Sequence, residues 1–357
     1  MAARAALGFP GLVRIERFDP VTDTAKIRVC YDLYVACQPV DDPDVPADSL
    51  PVYAGWISRG WDADPREGWL APGDEPGSWA GGYILMLPER ENRHTARLNL
   101  FVTPGHRRRG IGTALLRHAA GRATENGRTQ LTCETKEGSA GSAFAAAVGA
   151  QAGVTEVRRI LDLAAQPAGY LDPLRRQAGQ ASQGYSLVTW LGPCPEEYLE
   201  QVAAVINAMA DAPHNPDEEP EVLDGQRLRD SEELDVIQQT RGYSVAARCD
   251  RTGELVAMTR IVVDPLRPTW GWQELTAVVR AHRGHRLGLL VKVAMMDWLA
   301  EAEPALEHIL TGNSASNSHM IAINADLGYR VLDRWPSWQL DVARMTAGAG
   351  ARRHAQA

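Results

Sequence analysis

The sequence lacks every arrangement of cysteine that would announce a disulfide framework or a metal centre. Its five cysteines (Cys30, Cys37, Cys133, Cys194, Cys249) are scattered, with no Cys-x-x-Cys pair and no His/Cys cluster at ligand spacing. A stapled secreted scaffold and a zinc site are both set aside, and the thiols are expected to be reduced. No apolar run approaches the roughly 20 residues of a membrane-spanning helix. The opening MAARAALGFPGL has neither the cationic start nor the long apolar core of a secretory signal. Net positive charge is missing too: 45 acidic residues against 37 lysines and arginines give −8. A general binder of nucleic acid or of membrane surfaces needs a cationic face. Together these absences predict a cytoplasmic protein that engages neither nucleic acid nor membrane and holds no metal.

What is present is repetition. At 357 residues the chain exceeds the usual size of one compact domain. Two stretches open alike, HRRRGIGTALL at 106–116 and HRGHRLGLLVK at 282–292. Further on, GAQAGVTEVRRILDL (149–163) and GYRVLDRWPSWQLDV (328–342) end on matching Leu-Asp pairs. Upstream, DLYVACQPVDDPDVP (32–46) and INAMADAPHNPDEEP (206–220) both pass from a helical pattern into an acidic, proline-rich loop. Three landmarks in one order mark a duplication. The expected units are 1–165 and 185–345, with a linker over 166–184 that holds at most a short helix and a frayed tail over 346–357.

Each copy reads as an opening strand (Leu12–Phe18; Tyr185–Trp190), a helix, the acidic loop and a second helix. Two hairpin strands follow, then the repeated loop with its helix, a short strand, another helix and a final strand pair. The fold class is α/β in the α+β sense, a largely antiparallel mixed sheet flanked by helices, built twice.

In the first copy a β run ends at Val102, and Arg107, Arg108, Arg109, Gly110, Ile111 and Gly112 turn directly into an amphipathic helix. Glycines there let the backbone approach a ligand, and the helix start offers unpaired N–H groups and a partial positive charge, which suits a pyrophosphate. This strand, loop and helix resemble the GCN5-related N-acetyltransferase (GNAT) superfamily, whose loop reads [Arg/Gln]-x-x-Gly-x-[Gly/Ala] after an apolar-x-Val-x-Pro strand end. Here Leu100, Val102 and Pro104 supply that strand end. The second copy is similar to the family in TGNSASNSHMIAINADLGYRV (311–331), where Asn313, Asn317, Met320, Asn324 and Leu327-Gly328-Tyr329 look like the helix and turn that flank an acyl-pantetheine. The resemblance implies acetyl-CoA or another acyl-CoA as donor, seated between splayed strands, with Val102 and Val278 at the strand ends.

Each copy departs from the pattern. The second loop is Arg283, Gly284, His285, Arg286, Leu287 and Gly288, so Arg286 replaces the glycine found at Gly110. Its cradle is expected to survive if Arg286 keeps φ negative and turns its side chain outward. The first copy keeps the loop, but GSAFAAAVGAQAG (141–153) has no Asn and no aromatic after Gly149, and Ala145 stands where the second copy has Asn324.

Acyl transfer needs a neutral amine, hence a base. Glu274 lies on the strand leading to the second loop and, by parity, shares a face with Thr276 and Val278. The family often places a tyrosine acid at the position of Asn324, so that role passes to Tyr329, His319 or solvent as candidates. The acidic loops, with Asp41, Asp42 and Asp44 in one copy and Asp211, Asp217, Glu218, Glu219 and Glu221 in the other, would draw a cationic amine to the mouth. Trp270, Trp272, Trp335 and Trp338 are expected in core or pocket wall. The expected function is transfer of an acetyl group to a primary amine of a small, cationic molecule in the C-terminal copy, by a monomer or weak homodimer. The alternatives are chemistry in the N-terminal copy, a different acyl donor, or a non-catalytic acyl-CoA-binding module.

Overall fold

The structure is a computed structural model and describes residues 14–211, 215 and 217–345. Part of the expected opening strand, part of the second acidic loop and the expected tail lie outside them.

The first half runs β1 (Glu16–Phe18), α1 (Thr24–Asp41), α2 (Leu50–Ser58), β2 (Arg66–Pro72), β3 (Trp79–Met86), β4 (Thr95–Val102), α3 (Ile111–Glu125), β5 (Gln130–Glu134), α4 (Ala140–Ala147) and β6 (Gln151–Asp162). A helix, α5 (Leu171–Ala181), follows. The second half repeats the order: β7 (Tyr185–Leu191), α6 (Leu199–Asn207), α7 (Gly225–Gln238), β8 (Arg241–Cys249), β9 (Leu255–Val263), β10 (Trp270–Val278), α8 (Leu287–Ala302), β11 (His308–Ser314), α9 (Ser318–Asp326) and β12 (Arg330–Asp341). The mixed α/β class is as the sequence predicts. Two element assignments need correction. Strands β2 and β8 precede the expected hairpins, so each copy has a three-stranded meander. The expected final strand pair is one long strand, β6 or β12. Strand β8 escapes a period-two search because it is buried almost end to end, so apolar residues occupy both faces.

Among the described residues all strands join one 12-stranded sheet, ordered β1-β2-β3-β4-β5-β12-β6-β11-β10-β9-β8-β7. The last strands are exchanged. Strand β12 of the second half pairs with β5 of the first, and β6 of the first half pairs with β11 of the second. Strands β6 and β12 also pair with each other at the centre.

Helices cover both faces. Helices α3 and α4 pack on one face of the first half, α1 and α2 on the other. In the second half α8 and α9 share a core with α5, whose Ala178 is fully buried, while α6 and α7 cover the opposite face. Polar contacts lock the halves together. Arg227 of α7, 2% exposed at its side chain, pairs with Asp62 at 2.8 Å and Glu91 at 2.9 Å. The second acidic loop lies against the first half through Arg97–Glu221 at 3.0 Å and through Glu219, whose carboxylate accepts from the Asn92 N–H at 2.7 Å.

Candidate active site

Each half contains one parallel strand pair, and each pair opens partway along. Strands β4 and β5 pair only from Thr95–Arg97 to Gln130–Thr132, although β4 continues to Val102. Strands β10 and β11 pair only from Trp270–Gln273 to His308–Thr311, although β10 continues to Val278. Two V-shaped gaps result, each leading from a loop and helix start toward a vertex.

The loops share one backbone. In the first, Arg108 (φ 62°) and Gly110 (φ 84°) are left-handed; in the second, Gly284 (φ 90°) and Arg286 (φ 52°) are. The expectation that Arg286 keeps φ negative is therefore corrected. The loop shape demands two left-handed residues, and each copy supplies glycine at only one of them. Space above both glycines is open, since a Cβ added at Gly110 or Gly284 meets nothing within 4 Å. Both helix starts thus present backbone N–H groups to an accessible surface, and the residues present fit a pyrophosphate.

The first arginine of each loop holds the loop to its strand. Arg107 donates from Nε to the Val102 carbonyl at 2.8 Å and grips Asp41 with both terminal nitrogens at 2.8 and 2.6 Å. Arg283 donates likewise to the Val278 carbonyl at 3.2 Å and to the Ala208 carbonyl at 3.2 Å. Arg109 pairs with exposed Asp74. Arg108 and His285 are exposed, and Arg286 lies 4.0 Å from Asp326. Ile111, Gly112, Leu287 and Gly288 open their helices beneath the loops; a Cβ on Gly288 would meet Ile323 at 3.2 Å and Val278 at 3.7 Å. The carboxylates of the first acidic loop are engaged within the fold: Asp42 with Lys136 and Arg158, Asp44 with Lys136.

The gaps differ at their vertices. Strand β4 runs straight against β3, whereas β10 has a bulge between Gln273 and Leu275, with Glu274 as the extra residue. A bulge flips parity, so Glu274 does not share a face with Thr276 and Val278, as simple alternation predicts. Gln273 instead joins Thr276 on the α8 side, donating to Thr276 Oγ1 at 3.0 Å. Glu274 turns to the α7 side, where it accepts from Arg260 Nε at 2.6 Å, and Arg260 also binds Asp235 of α7. Its side chain is 35% exposed. Surrounding protein raises its pKa above the ordinary carboxylate value, with Arg260 pulling the other way.

Beneath the second vertex lies a buried polar cluster that pattern reading missed. Lys292 Nζ donates to Gln273 Oε1 and Asn324 Oδ1, both at 2.7 Å. Asn324 Nδ2 donates to Asn313 Oδ1 at 2.7 Å, and Tyr329 Oη donates to Gln273 Oε1 at 3.1 Å. Burial alone drives the Lys292 pKa down to about 7, and burial, with a smaller push from Tyr170, raises that of Tyr329 far up. The signal was a single lysine inside the otherwise apolar run LGLLVKVAMM. Asn313, Asn324 and Tyr329 thus come together. Asn317 caps α9, accepting from the Met320 N–H at 3.2 Å, and His319 is exposed on the first turn of α9. Of the tryptophans, Trp270 stacks on His308 and Trp338 donates to Thr135 Oγ1, while Trp272 is exposed.

No curated protein sequence matches the chain. Residues 27–147 match the family model described as acetyltransferase (GNAT) family. A tandem GNAT protein from the clavulanic acid biosynthesis pathway is similar over 92% of this chain and 98% of its own, with 29% identity and a TM-score of 0.78. Residues 27–147 thus carry a GNAT-family match, and the chain as a whole is similar to a tandem GNAT protein. A GCN5-related N-acetyltransferase from Sphaerobacter thermophilus shares the fold across 94% of this chain and 97% of its own (17% identity, TM-score 0.64). So does the glucosamine N-acetyltransferase region of a fungal multi-domain β-N-acetylglucosaminidase, over 92% of this chain and 38% of that one (13% identity, TM-score 0.61). The GNAT family model falls on the first half, whose loop retains the family's glycines. Among the described residues no helix is long and apolar enough to cross a membrane.

Proposed function

We propose that the chain is an acyl-CoA-dependent N-acyltransferase, with acetyl-CoA as its first donor, and that the chemistry belongs to the C-terminal gap. The observation that carries this reading is the bulge at Glu274. A bulge takes a backbone group out of the ladder at the vertex of the gap, where it can bind an acyl carbonyl as charge develops on its oxygen. The first half has the gap without the bulge.

The donor supplies a thioester carbonyl. The chain's own residues do the rest. The loop from Arg283 to Gly288 and the start of α8 would hold the diphosphate, and Thr276, Val278 and Asn313 stand on β10 and β11 beyond their last paired residues. Glu274, beside the vertex on the α7 side, takes the proton from an ammonium so that the amine attacks as a neutral base. The acceptor we infer is a primary amine on a small, cationic molecule, in keeping with the net charge of −8. The N-terminal half keeps a fitting loop and is proposed as a structural partner that retains CoA. A small metabolite is the acceptor class we infer, in keeping with the similarity to a tandem GNAT protein from the clavulanic acid biosynthesis pathway.

The test is thiol release from acetyl-CoA across a panel of polyamines, amino sugars and amino acids, with Glu274→Gln and Gly110→Trp in parallel. The reading expects Glu274→Gln to abolish release and Gly110→Trp to spare it. The reverse result would move the chemistry to the first half. Tight binding of acetyl-CoA with no release for any amine would make the chain a binding module.

A further inference from the structure

Lys292 has no role in the reading above, and its setting is unusual. It lies in the second turn of α8 with 1% of its surface exposed. The groups facing its ammonium are Gln273 from β10, Asn324 from α9 and the ring of Tyr329, the residue just before β12, 5.1 Å away. None is a carboxylate, and no ion pair holds Lys292 among the described residues. A buried, unpaired charge of this kind costs several kcal/mol, so a merely structural position would favour leucine. The first half has that solution: Leu116, four residues after Gly112, stands where Lys292 follows Gly288, and Ala145 stands for Asn324.

The geometry places Lys292 at the vertex of the open gap. Gln273 is the last residue of β10 paired to β11, and Asn324 reaches Asn313, just past the last paired residue of β11. Lys292 is therefore tied to the β10 wall directly and to the β11 wall through Asn324 where the two part. An ammonium has three hydrogens, and the two amide oxygens take two.

We propose that Lys292 is the acid that protonates the departing thiolate in the C-terminal gap. The proposal rests on the acyltransferase reading and deepens it. In the step, Glu274 has first passed the ammonium proton to solvent; the neutral amine nitrogen then forms its bond to the acyl carbon and loses its second proton to Glu274. The carbon–sulfur bond breaks with its electron pair on sulfur, and sulfur takes a proton from Lys292 Nζ. Solvent returns the Glu274 proton to Lys292, closing the balance. An amine poised near neutrality is matched to this task, because a thiol's ordinary pKa is about 8.5 and the transfer runs downhill. Tyr329 is the poorer acid, since burial raises its pKa far up and its hydroxyl proton already goes to Gln273.

Two measurements test this. Lys292→Met, checked for fold by circular dichroism and for acetyl-CoA affinity by calorimetry, should lower kcat with acetyl-CoA by about 100-fold, the range of a lost general acid. With an acetyl ester of a nitro-substituted aryl thiol, whose thiolate leaves unprotonated, the wild-type to variant ratio should shrink to below about 5. Equal losses on both donors would mean a structural role and overturn the proposal. The second measurement needs no turnover. The thiol of bound CoA, followed by its thiolate absorbance, should ionise at lower pH on wild-type protein than on Lys292→Met, because only lysine offers the thiolate an N–H donor. Coincident thiol titrations on wild-type protein and on whichever of Lys292→Met or Lys292→Gln folds sink the proposal. Wild-type protein that releases no thiol with any amine removes the transferase reading itself, and the bound-thiol titration then still reports whether Lys292 meets sulfur.

Discussion

Arg286 holds the left-handed backbone position that Gly110 holds in the first half. An L-residue pays about 1–2 kcal/mol there, and glycine does not. Arg286→Gly should therefore stabilise the protein, but by less than about 1 kcal/mol, because glycine also gains freedom in the unfolded chain. Urea unfolding measures it, with acetyl-CoA affinity expected within about 3-fold of wild type. A loss of stability above about 1 kcal/mol would mean that the Arg286 side chain contributes more than its distant approach to Asp326 suggests.

Glu274→Gln keeps the bulge and removes the proposed base. A fall in kcat of about 100-fold or more with a nearly unchanged KM for acetyl-CoA is expected. In the wild type, kcat/KM should climb with pH through a carboxylate pKa raised above its ordinary value. The variant should lose that limb. A pH profile shared by both proteins would exclude Glu274 as the base.

Lys292 makes stability depend on pH. Its pKa falls from 10.5 in the unfolded chain to about 7 in the fold. Between those values the unfolded chain holds a proton that the folded chain has released, so stability rises with pH across this window and is insensitive to Lys292 below it. The slope from this one group approaches about 1.4 kcal/mol per pH unit. Melting temperatures of wild type and Lys292→Met at pH 6, 8 and 9.5 should diverge in that sense; parallel curves would show a lysine with an ordinary pKa.

Arg227 joins the halves through two carboxylates from the first. Its replacement by alanine leaves Asp62 and Glu91 without their partner, and a loss of about 3–5 kcal/mol is expected. Replacing all three by apolar residues should recover much of it. An Arg227→Ala loss under about 1 kcal/mol would show that water compensates the carboxylates.

The duplication, the two loops and the mixed sheet were legible because each rests on local spacing. Glycine placement marked the turns, and the acidic loops marked the breaks between helices. What escaped depended on neighbours distant in sequence. The bulge at Glu274 exists only relative to β9, so parity assigned the carboxylate to the wrong face. Arg286 was expected to avoid the left-handed region, but the loop and the helix it starts dictate its φ. Lys292 looked like an interruption in an apolar helix until Gln273, Asn324 and Tyr329 surrounded it. Strand β8 was hidden by burial on both faces.

The exchange of β6 and β12 gives the duplication a further meaning. A protease that cuts between β6 and α5 would yield two fragments that stay together, because each carries a strand threaded into the other's sheet. Expressing one half by itself would leave β5 or β11 with a bare edge where the borrowed strand belongs, an invitation to pair with another copy. The covalent link thus makes permanent an embrace that two separate chains would have to find by collision, and it frees the two gaps to diverge in chemistry.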